Sequence, residues 1–257
     1  MSYETAEGIR RSDLWVINKS PMHFKAHMEE EKTQSKALLF GAAAHKWILE
    51  PETFYQEYWV TPKVDRRTKV GKQVWADFEA VKAENDLTII SSEDFETIYA
   101  MGQAISQNPM AVQLLAGKHE QEFYWTDDIT GEKCKVKVDC LTEYEGKPYI
   151  VDYKTTDSCE DGHFERSARR YGYQFQSGMY CEGVFHNTLE EHGFAFVAQE
   201  KTPPYAVRVY ICDPEWIKTG YDKFRELIGI YHACNVTGEW WGYEGPDNIP
   251  AQLTEEE

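Results

Sequence analysis

Polar and apolar residues alternate along two consecutive segments near the middle of the chain. Residues 133–141 alternate strongly, and residues 149–153 form a second run of β-branched and aromatic side chains around one carboxylate. Residues 145–148, which separate the two segments, are of types that favour a reverse turn. The pattern therefore predicts a β-hairpin, and the twofold period of a strand allows Asp139 and Asp152 to share one of its faces.

Helical periodicity dominates before this hairpin, and strands and helices alternate after it. Helices are predicted for about 20–28, 35–50, 72–83, 92–107, 160–170, 173–185 and from 213 onward. Further strands are predicted for about 58–60, 120–125, 193–199 and 206–212. We expect a single α/β domain over residues 1–257 with a helical N-terminal part, a loose arm at 1–11 and an acidic tail at 244–257.

Two carboxylates and one lysine carry the chemistry of the hairpin. Lys154 follows Asp152 by two residues, so its side chain points to the same side of the strand. Two carboxylates that approach each other repel and are costly to bury, and a divalent cation removes that cost. Hard oxygen ligands suit Mg²⁺. The hairpin thus predicts a metal site of Asp139 and Asp152 in which Lys154 orients a water or stabilises negative charge.

Four further residues are candidates for extending such a site. His45 falls on the inward side of its helix, where a histidine is either a core residue or a ligand that suits Mn²⁺ better than Mg²⁺. Glu122, on the strand before the hairpin, could add a carboxylate. Gln176 and Tyr180 are four residues apart and share one helix face, where they form either a phosphate-binding pair or a buried polar pair.

The order of these residues resembles a known family of nucleases. Asp139 with Asp152-Tyr153-Lys154 is similar to the PD-(D/E)xK motif. Two helices resemble those of the RecB-type branch: Gly41-Ala42-Ala43-Ala44-His45 is similar to its G-x-x-x-H motif, and Gln176-Ser177-Gly178-Met179-Tyr180 to its Q-x-x-x-Y motif. The segments Ser20-Pro21-Met22-His23-Phe24 and Leu49-Glu50-Pro51 look like parts of the nuclease domain of RecE-like exonucleases (exodeoxyribonuclease VIII).

This resemblance, which spans about residues 20–180, implies a fold, a site and a reaction. The fold is a PD-(D/E)xK nuclease-like central mixed β-sheet flanked by helices. The catalytic residues are Lys154, Asp152, Asp139, Gln176 and Tyr180. The metal, Mg²⁺ or alternatively Mn²⁺, is held by His45, Asp139, Asp152 and the carbonyl of Tyr153, with Glu122 as a further candidate.

The resemblance also implies a substrate and partners. The substrate is linear double-stranded DNA, digested from the 5′ strand to leave 3′ overhangs for phage-type recombination by strand annealing. The partners are double-stranded DNA ends, a RecT-like single-strand annealing protein and further copies of the chain in a ring, a tetramer or a trimer. Such proteins are cytoplasmic and encoded by a phage or prophage in a bacterial host.

Charge and cysteine content change this picture in part. The formal net charge of −17 opposes simple nucleic-acid binding, but basic residues cluster locally. We expect DNA contacts from Arg66, Arg67, Lys69, Lys72, Thr155, Arg166, Arg169 and Arg170, although a solvated helix face is an equal alternative for the last three. The six cysteines lack zinc or iron–sulfur spacing, which indicates reduced thiols. No apolar run is long enough for a membrane span, and the polar start predicts no secretory signal.

Three other functions are compatible with the sequence. An endonuclease or a Cas4-like end-processing nuclease would use the same fold, although the cysteine quartet of the latter is missing. A non-catalytic DNA-binding or adaptor protein would not need Asp139, Asp152 and Lys154 together. A metal-dependent hydrolase of small substrates would not need the basic residues at 63–72.

Overall fold

The computed structural model describes residues 3–30, 35–84, 87–247 and 249, without the side chains of residues 83 and 84. The strands in this part of the chain are β1 (Ile9–Arg10), β2 (Tyr58–Val60), β3 (Thr88–Ile90), β4 (Lys118–Thr126), β5 (Lys133–Tyr144), β6 (Lys147–Thr156), β7 (Gly193–Glu200) and β8 (Val207–Ile211). The α-helices are α1 (Arg11–Leu14), α2 (Pro21–Glu29), α3 (Lys36–Leu49), α4 (Phe54–Glu57), α5 (Lys69–Glu84), α6 (Ser92–Ser106), α7 (Pro109–Leu114), α8 (Asp161–Arg170), α9 (Tyr173–Thr188) and α10 (Pro214–Thr237).

Helix α3 begins and ends where local chemistry requires it. The side chain of Ser35 accepts a hydrogen bond from the backbone N–H of Leu38, which satisfies a donor that has no partner inside the helix. Pro51, two residues after the helix, has no N–H with which to continue it. These two signals set the length of the helix that carries His45.

The predicted hairpin forms around a two-residue turn. Glu145 and Gly146, which connect β5 to β6, have φ values of 53° and 73°. Positive φ at both central residues matches the right-handed twist of the flanking strands and fixes their register. Cys140 consequently pairs with Val151, so Asp139 and Asp152 are the next positions along the two strands.

Strand β5 is the centre of a mixed six-stranded sheet that forks at Asp139. Along one edge, β5 pairs antiparallel with β4. Along the other edge, it pairs parallel with β1 at residues 134–135 and antiparallel with β6 at residues 140–144. Strand β6 continues away from β5 beside the parallel β7, which pairs antiparallel with β8. Asp139 therefore lies at the point where β6 separates from β5.

Apolar clusters cover both faces of this sheet. Helices α1, α9 and α10 pack on one face, where Val136, Val138 and Phe196 are buried. Helix α7 and the ends of α3 and α6 pack on the other face, where Cys140 and Val151 are buried. A third cluster joins α3 to α4, α6, β2 and β3, and β2 and β3 form a separate parallel pair. This third cluster holds α3 beside the fork of the sheet.

The alternation of side chains along β5 breaks at Asp139. Val136 and Val138 belong to one cluster, but Cys140, two residues further on, belongs to the other. On the neighbouring strand, Glu120 has a φ of 53°, an uncommon conformation for a residue with a side chain. Since the flanking pairs are His119 with Cys140 and Gln121 with Val138, Glu120 is in register with Asp139. Both strands are thus distorted at one point of the sheet.

The fold agrees with the sequence-based expectation of a central mixed sheet flanked by helices, and it differs in several details. Residues 3–10 of the predicted loose arm include β1, and Ile9 is buried. The ammonium of the buried Lys135 donates a 2.7 Å hydrogen bond to the carbonyl of Tyr3, which anchors the segment. Strand β3 was not predicted. Most of the predicted acidic tail, residue 248 and residues 250–257, lies outside the described residues.

In the described part of the chain, no helix combines the length and the apolar character that crossing a bilayer requires.

The loop between β4 and β5 is tied to α10 by a buried ion pair. The carboxylate of Asp127 accepts hydrogen bonds from the backbone N–H and the hydroxyl of Thr130 at 2.8 and 2.6 Å, and from Arg225 Nη2 at 3.1 Å. Burial alone would raise the pKa of Asp127, but Arg225 and Thr130 outweigh it and lower that pKa to about 2. Asp127 is therefore ionised in the folded protein well below the pKa of a free aspartate.

We predict that Asp127→Ala lowers the free energy of unfolding at pH 7 by about 3 kcal/mol, because it leaves Arg225 without its partner. Since the folded-state pKa of Asp127 is depressed, the contribution is complete above pH 4 and declines toward pH 2. Urea unfolding at pH 7 and pH 3 measures the difference. The control is Asp128→Ala at the exposed neighbour, and an equal effect of the two changes would contradict the assignment.

Candidate active site

The carboxylate of Asp139 replaces a strand carbonyl at the fork. Because β6 has left β5 there, the backbone N–H of Tyr153 donates to Asp139 Oδ2 at 2.8 Å instead of to a β5 carbonyl. His45 Nε2, on α3, lies 2.7 Å from the same oxygen. The fork therefore fixes Asp139 from two sides, through the main chain of β6 and through α3.

Asp152 is held on the other side of the fork. It is 2% exposed, and its Oδ2 lies 2.5 Å from Lys154 Nζ. The side-chain amide of Gln176, on α9, donates a short hydrogen bond to Oδ1. Despite its close ion pair, Oδ2 receives no hydrogen bond of normal geometry from the described residues. Asp152 is thus buried in contact with one ammonium and one side-chain amide.

Glu120 completes a group of possible metal ligands. Its Oε1 lies 3.4 Å from His45 Nδ1. One ligand atom from each of His45, Glu120 and Asp139 lies within 4.8 Å of the others. The distorted conformation of Glu120 and its register with Asp139 bring this carboxylate to the fork. Strands β4 and β5 and helix α3 each contribute one member.

The charges of the site are strongly coupled. Burial disfavours ionised groups here, but Asp139 and Glu120 outweigh it and raise the pKa of His45. For Asp139, His45 and Lys154 overcome burial and lower its pKa. Burial raises the pKa of Asp152 to about 6, against the opposing effect of Lys154 and with the help of the Asp139 charge. Burial, followed by the two aspartates, also raises the pKa of Tyr180, which keeps its phenol neutral.

An open cleft of about 630 Å³ gives access to these groups. Residues of α3, α4, the paired strands β4 and β5, and the end of β6 line this cleft. Lys137 on β5 pairs with Glu120, and Lys46 on α3 pairs with Glu50 at 2.8 Å and with Glu57 at 2.6 Å. The cleft therefore contains ammonium groups as well as carboxylates, as a site for an anionic substrate and a cation requires.

The donor set fits a divalent cation. Carboxylate oxygens with one imidazole nitrogen are suitable ligands for Mg²⁺ or Mn²⁺, with the imidazole favouring Mn²⁺. The charge of Asp139 raises the pKa of Asp152, and a bound cation would relieve this repulsion. Such a cation would be held by His45, Glu120 and Asp139, with Asp152 beside them.

Most of the predicted catalytic and metal residues lie together at the fork. His45 contacts Asp139, and Lys154 and Gln176 both contact Asp152. Two more of the predicted site residues, Tyr153 and Thr155, line the cleft. The pKa of Tyr180 is raised in part by both aspartates. The roles of these residues in catalysis remain predictions.

The structure favours a different glutamate from Glu122, which the sequence offered as a further metal-ligand candidate. The structure places Glu120 rather than Glu122 beside His45. Glu122 is exposed, and its carboxylate accepts a 2.7 Å hydrogen bond from the hydroxyl of Tyr124. Counting register across the β4–β5 hairpin would have placed Glu120 opposite Asp139, but the positive φ that orients its side chain has no signal in the sequence.

The predicted DNA-binding residues other than Thr155 lie outside the cleft lining. Arg66 stacks over the Trp75 ring at 4.1 Å, and Arg67 pairs with Asp65 in the loop before α5. Strand β2, which leads into this loop, begins at Tyr58 on the cleft wall. On α8, the two arginines Arg169 and Arg170 lie over Trp216 and Tyr171, and Arg166 is exposed.

Comparison with known families agrees with this geometry. Residues 11–247 match the family described as "PDDEXK-like domain of unknown function (DUF3799)". The chain belongs to this family. The match confirms the predicted PD-(D/E)xK-like fold, and the description names the motif that Asp139 and Asp152-Tyr153-Lys154 resemble.

One solved structure shows the same fold. A crystal structure of a protein from Eubacterium rectale named "Putative exonuclease" is similar to this DUF3799 chain with a TM-score of 0.62 and 16% identity, covering 100% of this chain and 95% of that one. A second structure, named SSO0001, has a TM-score of 0.32 and 12% identity over 84% of both chains, which is too distant to support an argument. No curated protein sequence matches.

We predict that Glu120→Gln weakens binding of Mn²⁺ at least about tenfold, because it removes a charged ligand. Glu122→Gln is the matched control, two residues away on the same strand, and should leave the affinity unchanged. Calorimetric titration of the metal-free proteins with Mn²⁺ measures both. Equal affinities for the wild type and Glu120→Gln would exclude Glu120 as a ligand.

Metal affinity should also depend on pH. Protons compete with the cation for Asp152, whose pKa is about 6, and for His45, whose pKa is raised. Lowering the pH from 7.5 to 5.5 should therefore weaken Mn²⁺ binding at least about fourfold, with protons released on binding. An affinity that is constant over this range would show that neither group takes part.

Proposed function

We propose that this protein is a metal-dependent nuclease that hydrolyses phosphodiester bonds in DNA. The observation that carries the proposal is one cleft in which Lys154 pairs with Asp152 beside the group of His45, Glu120 and Asp139. Burying Asp152 beside a second carboxylate that raises its pKa is costly, and a protein that only binds DNA gains nothing from it. Membership of a PDDEXK-like family supports the same reaction.

The chain's own groups have distinct parts in this reaction. A bound divalent cation supplies a water of lowered pKa and polarises the phosphoryl oxygens. Lys154, protonated because its two neighbouring aspartates outweigh burial and raise its pKa, orients the water or stabilises charge on the phosphate. Gln176 fixes the orientation of Asp152, and the neutral phenol of Tyr180 is available as a hydrogen-bond donor at the same site.

The specific activity is that of a RecE-like exonuclease on linear double-stranded DNA. The enzyme digests the 5′ strand with Mg²⁺ and leaves a 3′ overhang for a RecT-like annealing protein in phage-type recombination. Support comes from the motif order between residues 20 and 180, which resembles that of the RecE-like group. Dependence on a free end follows from assembly of several copies into a closed ring around the duplex.

The basic segment that leads into the first turn of α5 contributes contacts to duplex DNA. Lys63, Arg66, Arg67, Lys69 and Lys72 lie between Thr61 and Gln73, next to the strand that begins on the cleft wall. This local positive charge allows a protein of net charge −17 to hold a polyanion close to the site. Arg166, Arg169 and Arg170 on α8 provide a second basic surface.

The decisive experiment compares linear duplex DNA with covalently closed circles. With Mg²⁺, the wild-type protein should degrade the linear form and spare the circles, and EDTA should stop the reaction. Cleavage of circles at a comparable rate would replace the exonuclease by an endonuclease. A strictly monomeric mass in solution would exclude the ring but leave the chemistry unchanged.

Lys154→Ala should reduce the rate of cleavage at least about 100-fold while the protein stays folded, because the metal ligands remain and only the ammonium is lost. Lys218→Ala, at an exposed lysine on α10, is the control. A Lys154→Ala variant that cleaves at nearly the wild-type rate would show that the proposed chemistry is wrong.

A further inference from the structure

A second lysine of the cleft has no role in the chemistry described so far. Lys137 lies on β5, two residues before Asp139, and its side chain lines the cleft. Its ammonium forms a close ion pair with Glu120, which lies on β4 and belongs to the candidate metal ligands. The side chain is 38% exposed, so the ammonium also reaches solvent in the cleft.

The pairing of Lys137 parallels that of Lys154. Lys154 pairs with Asp152 on the β6 side of Asp139, and Lys137 pairs with Glu120 on the β4 side. Because β4 and β6 both flank β5, the two ammonium groups are held by carboxylates on the two different neighbours of the strand that carries Asp139. Lys46 differs from both, because Glu50 and Glu57 hold it outside that group.

The balance of charge in the cleft shows what a cation would change. The carboxylates of the cleft and its floor outnumber the lysine ammonium groups by two: Glu50, Glu57, Glu120, Asp139 and Asp152 stand against Lys46, Lys137 and Lys154. A proton on His45, whose pKa is raised, offsets one of these charges, and a divalent cation that displaces this proton compensates the full difference. Once a bound cation compensates the negative charges of Glu120 and Asp152, these carboxylates attract Lys137 and Lys154 much less strongly. Both ammonium groups are then available to an anion.

We propose that Lys137 binds a non-bridging oxygen of the phosphate next to the scissile one, on the same DNA strand. This inference rests on the proposed nuclease function, and it adds a specific strand-binding residue to it. Lys154 serves the scissile phosphate beside Asp152, and Lys137 serves the neighbouring phosphate beside Glu120. The pair fixes the direction in which the strand passes over the metal group, from the β6 side to the β4 side.

A purely structural role for Lys137 would have the opposite effect on the metal. If Lys137 only holds the carboxylate of Glu120 in place, its removal should weaken metal binding. If Lys137 competes with the cation for Glu120 and then turns to phosphate, its removal should leave metal affinity equal or raised. The sign of the change in metal affinity therefore separates the two roles without any measurement of activity.

The experiment uses Lys137→Gln, Lys137→Arg and the control Lys133→Gln, which lies on the same strand and pairs with Glu7 outside the cleft. Binding of a blunt duplex with hydrolysis-resistant phosphorothioate linkages is measured at several salt concentrations with Mg²⁺. Lys137→Gln should weaken binding about fivefold at 0.15 M salt and reduce the slope of log affinity against log salt by about 0.9. Lys137→Arg should retain the slope, and Lys133→Gln should match the wild type.

Mn²⁺ titration and steady-state kinetics complete the test. Mn²⁺ affinity of Lys137→Gln should equal or exceed that of the wild type, and the variant should raise KM with little change in kcat. If the wild-type protein cleaves DNA but Lys137→Gln has a weakened Mn²⁺ affinity or an unchanged salt slope, the proposed role of Lys137 is wrong and the nuclease function stands. A wild-type protein that neither binds nor cleaves duplex DNA would overturn the nuclease proposal and the Lys137 inference with it.

Discussion

A single hydrogen bond and a single ion pair meet on one oxygen at the centre of this structure. Asp139 Oδ2 accepts from the backbone N–H of Tyr153 at 2.8 Å and lies 2.7 Å from His45 Nε2. Where β6 leaves β5, the amide of Tyr153 would otherwise lose its strand partner, and an unpaired backbone donor is costly. The carboxylate therefore stabilises the fork of the sheet and holds His45 of α3 beside it.

The same constraint explains why the site is poorly balanced without a cation. The fork at which β6 separates from β5 also leaves Asp139 close enough to Asp152 for its charge to raise the pKa of Asp152. Lys154 and Gln176 compensate Asp152 in part, but one of its buried oxygens keeps no normal hydrogen bond. Incomplete compensation of this kind is expected where function, rather than stability, determines the residues.

Features of the fold and the site that depend on residues close together in the sequence could be predicted from the sequence. The β5–β6 hairpin was predictable because its turn and its alternation are local, and strand geometry alone places Lys154 on the side of Asp152. His45 was predictable as an inward residue of a helix with clear end signals. The family motifs then related these separate segments to one another.

The remaining features depend on non-local contacts. Glu120 reaches His45 because two paired strands are distorted at the same point, and that distortion has no local sequence signal. Strand β1 forms because Lys135, more than a hundred residues away, donates to carbonyls of the N-terminal segment. A two-residue strand has too few residues for periodicity to reveal it.

Locating a bound cation tests the central claim most directly. Crystals of the protein soaked in Mn²⁺ would show the metal by its anomalous scattering. The account predicts a peak at the fork, within about 2.0–2.3 Å of a nitrogen of His45 and oxygens of Glu120 and Asp139, with Asp152 beside it. A strong peak elsewhere on the chain, with these side chains still paired as in the metal-free protein, would contradict it.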